Sequence, residues 1–263
     1  MKLKLDSNEY MELRQQKIME LLNEQGSLFT DDLSNKFKVT TQTIRRDINE
    51  LCKSGLARKQ HGGVTLPPTR DNISISDRTV TNVLVKQKIS SAALLEVESG
   101  QTVFLSYGSS VAQFARSLPQ DIPLTVVTNN LDALAYLTNL QNIEVWVAGG
   151  CLRHQHRDLS GIYTKNFFES FRADVAILGI GGISSKGELL EFQFTEGELT
   201  KAMLNNSRKS VLLADSSKYL RNASVCISSL EDIDVMYTDC QSIELANLCQ
   251  AQSVQLNIVE VKS

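Results

Sequence analysis

Five polar side chains crowd one short stretch of the chain, and their types suit contact with a nucleic acid. They are Thr41, Gln42, Thr43, Arg45 and Arg46. Hydroxyl and amide groups can hydrogen-bond to base edges, and guanidinium groups can bind either bases or phosphates. The chemistry that this stretch can do is therefore recognition of a DNA groove.

A helix is needed to turn these side chains outward. Ile44, Ile48 and Leu51 recur at positions i, i+4 and i+7, which is the spacing of an apolar stripe that packs on other helices. The polar residues lie off that stripe. Asp47 and Glu50 leave a second interpretation open, in which the helix is amphipathic with an ordinary solvated face. The stretch alone does not decide between the two.

The neighbouring residues favour the DNA-binding interpretation. Apolar residues at helical spacing predict a helix over residues 9–25, and Thr30 can begin a second, shorter one. After the reading helix, strand-like segments around Gly62-Gly63 predict a hairpin whose Arg58 and His61 can lie along the phosphate backbone. This order of elements predicts a winged helix-turn-helix.

Charge is distributed unevenly along the chain. The 263 residues have a formal net charge of -3, with 42% hydrophobic and 22% charged residues, as in a globular protein. Residues 40–66, however, hold five Lys or Arg against two acidic residues, a local net of +3. A small basic patch on a mildly acidic chain favours a sequence-specific DNA binder over a nonspecific one.

The sequence shows none of the patterns expected of a membrane-spanning segment, a signal peptide or a paired-cysteine motif. There is no apolar run long enough to span a bilayer, and the first residues lack the apolar core of a signal peptide. The five cysteines form no CxxC pair, so we expect free, buried thiols in a reducing cytoplasm. We predict a cytoplasmic protein with no membrane partner, no cofactor and no metal, although His154 and His156 lie close in sequence.

Beyond about Val80 the pattern changes to buried strands that alternate with helices. Six runs are typical of strands, at residues 102–105, 124–128, 144–148, 175–179, 210–214 and 235–238. They predict an α/β domain with a mostly parallel sheet and helices on both faces. Because Pro67-Pro68 suggests a stiff linker, we predict a DNA-binding domain at residues 1–66, a linker at 67–79 and the α/β domain at 80–263.

Small and polar residues follow several of these strands, where open α/β sheets bind ligands. We expect a pocket formed by Ser106, Gly108, Ser109, Ser110, Thr128, Asn129, Gly149, Gly150, Arg153, Glu191 and Lys218. Gly108, Ser109 and Ser110 lead directly into a helix predicted at residues 111–118, and backbone N–H groups at a helix start bind anions. Lys218 would add positive charge, and Glu191 or Glu196 would accept ligand hydroxyls. We predict that this pocket binds a small anion. We do not expect a dinucleotide, because its glycine motif follows the first strand of such a domain and the glycine run at residues 179–182 lies late.

The sequence resembles a known family in both parts. Residues 43–47 (TIRRD) and 58–63 (RKQHGG) resemble the N-terminal signature of the DeoR family of bacterial transcriptional regulators. The resemblance implies a winged helix-turn-helix that binds operator DNA through Thr41, Gln42, Thr43, Arg45, Arg46, Arg58 and His61. The second domain is similar to that family's effector domain, whose fold resembles sugar-phosphate isomerases. Residues 127–131 and 187–192 look like the branch of the family that glycerol-3-phosphate releases from its operator.

One departure from the family pattern is plain. The family has Asp-x-Gly-Thr-Thr where this chain has Ser106-Tyr107-Gly108-Ser109-Ser110, so two hydroxyls remain and one carboxylate is missing.

The resemblance implies a repressor, not an enzyme, that binds double-stranded operator DNA as a homodimer or homotetramer. A phosphorylated sugar or polyol, glycerol-3-phosphate before others, would release it.

Two other functions stay open at this point. The first is a sugar-phosphate isomerase-like enzyme with a fused DNA-binding domain, which needs acid and base residues over the pocket. The second is a regulator that binds DNA constitutively and senses no small molecule.

Overall fold

A computed structural model describes residues 7–67 and 74–260, apart from the side chains of residues 7–12, 23, 24 and 77. The chain forms two compact units, Met1–Asp71 and Asn72–Ser263. Each unit has a hydrophobic core of its own. Within the described ranges, no helix is long and apolar enough to cross a membrane.

The first unit, over residues 7–67, is a small helical domain with a three-stranded sheet. Its elements are α1 (Ser7–Gln25), β1 (Ser27–Phe29), α2 (Thr30–Phe37), α3 (Thr41–Lys53), β2 (Arg58–Gln60) and β3 (Gly63–Thr65). Gly26 and Lys38 take positive φ angles of 76° and 53° where α1 and α2 end, a common way to terminate a helix. Ile18, Leu33 and Ile44, one from each helix, are buried together in the core. This is the predicted winged helix-turn-helix.

The sheet of this unit depends on a glycine. β3 pairs antiparallel with both β1 and β2, and Gly62 makes the turn between β2 and β3 with a φ of 73°. A Cβ at Gly63 would lie 2.1 Å from the backbone oxygen of Leu28. Only glycine therefore allows β1 and β3 to approach this closely.

The second unit is an α/β domain. Its helices are α4 (Ile75–Val80), α5 (Val83–Ala93), α6 (Ser109–Ser117), α7 (Leu131–Leu137), α8 (Ile162–Glu169), α9 (Phe194–Asn205) and α10 (Ile243–Ala251). Its strands are β4 (Thr102–Leu105), β5 (Leu124–Thr128), β6 (Ile143–Val147), β7 (Cys151–Arg153), β8 (Asp158–Ser160), β9 (Ala173–Leu178), β10 (Gly182–Ile183), β11 (Glu188–Glu191), β12 (Ser207–Leu213), β13 (Val225–Ser229), β14 (Val235–Thr238) and β15 (Gln255–Ile258). Single 3-10 turns lie at Leu94–Glu96, Ser216–Lys218 and Leu230–Asp232.

A seven-stranded parallel sheet separates two cores. The strand order is β15-β14-β12-β9-β4-β5-β6. In β4, Val103 and Leu105 belong to the core that includes α5, α6 and α7, whereas Phe104 belongs to the core that includes α8, α9 and α10. Phe104 packs edge-on against Phe168 of α8, with the ring centroids 5.3 Å apart. The predicted parallel sheet with helices on both faces is confirmed.

The predicted strands agree closely with the structure where they are buried. Residues 102–105, 124–128 and 235–238 have the predicted bounds, and the other three strands begin earlier, at residues 143, 173 and 207. The sequence analysis did not predict β15, the β7–β8 hairpin or the antiparallel sheet β10-β11-β13. These segments are short or partly exposed, so they lack the continuous apolar run of a buried strand.

Residues 75–79, which we predicted as linker, form most of α4 instead. Ile75 is 2% exposed, and its N–H donates to the carbonyl of Gln155 at 2.9 Å. The apolar contact of one isoleucine holds this otherwise polar segment in the second unit. Residues 68–73 of the predicted linker lie outside the described residues.

The prediction of buried thiols is wrong for part of the set. All five cysteines lie in the described ranges and are free, but Cys151 and Cys226 are exposed. Both are in short strands outside the seven-stranded sheet, where one face meets solvent. Cys240 and Cys249 are buried, as predicted.

Candidate functional site

The exposed face of α3 carries the predicted groove-reading side chains. The Thr40 hydroxyl accepts from the Thr43 N–H at 3.2 Å and so caps the helix. The inward stripe of α3 is buried, whereas Gln42, Arg45 and Arg46 are exposed and Thr41 is half-buried. The first turn of α3 contains no acidic residue, which leaves its positive dipole end available to a phosphate.

An open depression runs along this face and brings most of the predicted residues together. Gln42, Thr43, Arg45 and Arg46 line it, and Lys59 of the hairpin lines it too. Thr41 is not among the lining residues. Cations from two separate elements therefore border one concave surface, which suits a polyanion.

The carboxylate of Asp47 is on the opposite side of α3. Asp47 is fully buried, and its two oxygens accept from Arg14 of α1 at 2.5 and 3.1 Å. Because this charge is neutralised inside the unit, it does not oppose an anion at the exposed face. Glu50 is paired with Lys53 at 2.8 Å.

The hairpin of β2 and β3 presents the other predicted contacts. Arg58, Lys59 and His61 are exposed, with Arg58 opposite Thr65 and Lys59 opposite Val64 in the register. Val64 is fully buried and anchors the hairpin to the core. The hairpin thus holds its basic residues outward on a fixed base, as a wing does.

A second site lies in the α/β unit, at the carboxyl ends of β4 and β9. It is a small pocket that five of the predicted residues line: Gly108, Ser109, Ser110, Glu191 and Lys218. Arg78, Tyr107, Gly179, Ile180, Gly181 and Leu213 complete the lining. The pocket is at the sheet edge where open α/β folds bind ligands.

The start of α6 supplies hydrogen-bond donors to this pocket. Gly108 precedes α6 with a φ of 104°, and the first bond of the helix runs from the Ala112 N–H to the Gly108 carbonyl at 3.0 Å. The N–H groups between them are those that a helix start leaves to an external acceptor. The Asn130 amide fixes the loop by donating to the carbonyls of Ser106 and Gly108 at 3.0 and 3.1 Å.

Cationic side chains lie in and near this pocket. Burial, and next the nearby guanidinium of Arg221, lower the pKa of Lys218 to about 7 against the opposing effect of Asp215. Burial and then Arg78 lower the pKa of Arg221 to about 10. These cationic groups repel one another, so an anion bound in the pocket would stabilise them.

Glu191 also lines the pocket. It is 1% exposed, and burial followed by the nearby carboxylate of Glu196 raises its pKa to about 8. The Tyr107 hydroxyl donates to Glu191 Oε1 at 2.9 Å. Glu191 is thus a neutral carboxyl near pH 7, able to donate a hydrogen bond as well as accept one.

Six predicted effector residues lie outside the pocket lining and make structural contacts instead. The Ser106 hydroxyl accepts from the Gly179 N–H at 3.1 Å, and Thr128 donates to the Leu105 carbonyl at 2.8 Å. Asn129 donates to the Leu159 carbonyl at 2.7 Å. These three side chains are fully buried and hold strand ends together.

The Gly149-Gly150 pair serves close packing. The Thr164 hydroxyl donates to the Gly149 carbonyl at 2.8 Å. A Cβ at Gly150 would lie 2.2 Å from the Thr164 Oγ1. Glycine is needed at position 150 so that β8 and α8 can approach this loop.

Arg153 is committed to two carboxylates. Its guanidinium lies 2.5 Å from Asp158 and 2.7 Å from Glu196, and it stacks over the Tyr107 ring at 5.5 Å. Burial alone would lower the pKa of Arg153, but the Asp158 and Glu196 carboxylates raise it. Arg153 therefore supports Tyr107 and Glu196, and it is not among the residues that line the pocket.

Arg78 and Tyr107 are pocket residues that the sequence analysis missed. Arg78 is in α4, in the segment predicted as linker. One signal was available: the apolar Ile75 stands three residues before Arg78, on the same face of a helix. Tyr107 replaces the variable residue of the family's loop pattern, and nothing in the sequence indicated that its ring would line the pocket.

The two predicted histidines differ in their surroundings. His154 is exposed, whereas His156 is 8% exposed and its Nδ1 lies 3.1 Å from Arg78 Nη2. In the described part of the chain, no group of three or more His, Cys, Asp or Glu side chains could hold a metal ion.

A helix-turn-helix with a basic face, joined to a unit with a pocket that Arg78, Lys218 and the start of α6 line, defines a DNA-binding regulator with a ligand-sensing domain. The family profile described as DeoR-like helix-turn-helix domain matches residues 14–70, and that of the DeoR C terminal sensor domain matches residues 81–240. The chain belongs to the DeoR family of transcriptional regulators.

Relatives of the chain are themselves regulators. The glycerol-3-phosphate regulon repressor of Escherichia coli is 38% identical over 84% of this chain and 88% of its own length. The protein of the same name in Haemophilus influenzae is 34% identical over 93% of this chain and 95% of its own length. Among solved structures, ribose 5-phosphate isomerase A from Methanocaldococcus jannaschii is 18% identical over 53% of this chain and 55% of that chain, with a TM-score of 0.39.

Proposed function

We propose that this protein is a transcriptional repressor of a carbon-metabolism operon, released from its operator when a phosphorylated small metabolite fills the pocket of the α/β unit. Glycerol-3-phosphate is the effector we favour. The observation that carries the proposal is the pocket itself, which the start of α6, Lys218, Arg78 and Glu191 line together. The names of the most similar regulators support the same effector.

The phosphate would bind at the positive end of this pocket. The N–H groups of Ser109 and Ser110 and the ammonium of Lys218 provide the donors that a phosphate needs. The glycerol hydroxyls would then point to Glu191, whose neutral carboxyl can both donate and accept. With Ser106 turned toward Gly179, Glu191 takes over the hydroxyl contact that the family's missing aspartate would make.

Operator DNA would bind along α3 and the wing. In this proposal Gln42, Thr43 and Arg45 read base edges, while Arg46 and the basic residues of β2 contact phosphates. A symmetric operator has two half-sites, so we propose a homodimer or homotetramer. The DNA-binding domain would extend to residue 66 and the effector domain would begin with α4. Because its partner is operator DNA, we propose that the protein is cytoplasmic.

We propose that the pocket binds its effector without turning it over. Glu191 and Lys218 have shifted pKa values, as catalytic groups often do, but both are part of a buried hydrogen-bonded and charged network. Isomerisation of ribose or fructose phosphates by the purified protein would favour the enzyme alternative.

The decisive experiment measures operator affinity by fluorescence anisotropy, with and without glycerol-3-phosphate, at fixed salt. We expect glycerol-3-phosphate to weaken DNA binding, and unphosphorylated glycerol at the same concentration to have no effect. Ribose and fructose phosphates test the effector's size. A protein that binds its operator equally well with every compound is the constitutive regulator instead.

A further inference from the structure

One arginine connects the pocket to the first helix of the sensor unit. Arg78 lines the pocket from α4, and α4 is the first described element after residues 68–73. Its Nη2 lies 3.1 Å from the Nδ1 of His156. Its Nε is buried and has no hydrogen-bond partner among the described residues.

A buried guanidinium nitrogen without a partner is costly, and Arg78 lines the same pocket as the start of α6. The Nη1 of Arg78 is 3.9 Å from the point where a Cβ would stand on Gly108, so the guanidinium borders the start of α6. An oxyanion between the two would accept from Nε and from the helix N–H groups together. Arginine binds phosphates in this forked manner.

The main chain of α4 is held at both ends by the rest of its unit. At its start, the Ile75 N–H donates to the Gln155 carbonyl at 2.9 Å, one residue before His156. At its end, Lys86 Nζ donates to the carbonyls of Arg78 and Thr81 at 2.5 and 2.8 Å. Lys86 is 5% exposed and is not among the pocket-lining residues. The main chain of α4 therefore has two ties that set its position.

We propose that Arg78 exchanges His156 for the anionic end of the effector, and that α4 thereby transmits occupancy of the pocket to the segment leading to the DNA-binding unit. This inference rests on the proposed function and adds its regulation. The two states differ in one contact, Arg78 to His156 or Arg78 to the anion. An effector that binds the second state better shifts the population toward it.

Four variants test the proposal, each by calorimetric binding of glycerol-3-phosphate and by operator anisotropy with and without it. Arg78→Gln should weaken glycerol-3-phosphate binding at least ten-fold, since a charged donor is lost. His156→Leu removes the competing acceptor and should tighten binding by about three-fold or more, a gain that misfolding cannot produce. Unchanged affinity in both variants overturns the role of Arg78.

The transmission step has its own variant and control. Lys86→Met should keep glycerol-3-phosphate affinity within about three-fold, yet reduce the effect of glycerol-3-phosphate on operator affinity at least ten-fold. Arg208→Gln, an exposed arginine at the start of β12, should match wild type in both measurements. Wild-type release by Lys86→Met would exclude α4 as the transmitter.

Failure of the proposed function would be distinguishable from failure of this inference. If wild-type protein does not respond to glycerol-3-phosphate, the proposed effector is wrong, and inorganic phosphate serves as the probe in a thermal-shift measurement. Stabilisation of wild type but not of Arg78→Gln by phosphate supports Arg78 as the anion ligand. No stabilisation of wild type, or equal stabilisation of both, overturns it.

Discussion

The Arg14 guanidinium in α1 lies 2.5 Å from the buried Asp47 carboxylate on the inner side of α3. Arg14 is 16% exposed and Asp47 is fully buried, so the pair fastens the recognition helix to the helix behind it. Removing one partner leaves a buried charge without compensation. Arg14→Met should lower the free energy of unfolding of the first unit by about 3 kcal/mol.

Chemical denaturation followed by circular dichroism measures this loss. Lys53→Met is the matched control, because it breaks the exposed Lys53–Glu50 pair on the same helix. The control should change stability by no more than about 0.5 kcal/mol. Equal losses in the two variants would mean that burial of Asp47 does not set the energy.

Arg45 and Arg46 are expected to carry most of the DNA affinity of α3. Replacing both by alanine should abolish detectable operator binding at physiological salt, because two exposed cations leave the concave surface. At low salt, the residual binding should have a salt slope smaller by roughly one, because Arg46 is the member of the pair assigned to a phosphate. Anisotropy titrations at several salt concentrations measure both quantities. The shift in melting temperature with glycerol-3-phosphate should persist, and its loss would indicate a folding defect.

Lys218 is expected to be needed for the effector. Lys218→Met should weaken glycerol-3-phosphate binding at least about ten-fold, since a charged hydrogen bond to phosphate is lost. Lys218 also offsets the charge of the buried Asp215 carboxylate, so the melting temperature without ligand should fall as well. Lys186→Met, at an exposed turn, provides the control. Calorimetry and thermal unfolding together separate the two effects.

Effector affinity is expected to fall as the pH rises above 7. The pKa of Lys218 is lowered to about 7, so this side chain loses its positive charge above that pH. The pKa of Glu191 is raised to about 8, so its carboxyl gains a negative charge as the pH rises further. Both changes oppose an anion, and the phosphate itself is already mostly dianionic there.

Calorimetric titrations at constant ionic strength should therefore show affinity for glycerol-3-phosphate falling roughly five-fold between pH 7 and pH 8. The profile of Lys218→Met should be flatter over the same range. An affinity that is constant or increases with pH would contradict the assignment of these two groups to the pocket.

The sequence was most informative where burial produced a regular pattern. Strands such as β4 and β5 are buried on both faces, so their apolar runs and bounds could be predicted from residue types alone. The apolar stripe of α3 and the glycines of the wing likewise predicted the first unit. Residue types close together in the sequence were therefore sufficient to predict these elements.

The pocket residues depended on long-range contacts that no local pattern contains. Ser106 and Lys218 both follow strands, yet only Lys218 reaches the pocket, because the Ser106 hydroxyl turns to the Gly179 N–H. Arg153 has the right charge for an anion, but it forms an ion pair with Asp158. The two residues lie opposite each other in the β7–β8 hairpin. Arg78 stood in a polar segment that lacks the periodicity of a long helix.

Each unit has its own hydrophobic core, and this feature has a calorimetric consequence. Among the described residues, the buried side chains of the first core lie between residues 18 and 64, and those of the second unit's cores lie between residues 89 and 254. Heating should therefore give two endotherms in scanning calorimetry. Glycerol-3-phosphate should raise the melting temperature of the sensor unit alone. Operator DNA should raise that of the DNA-binding unit alone, so each ligand reports on the unit that binds it.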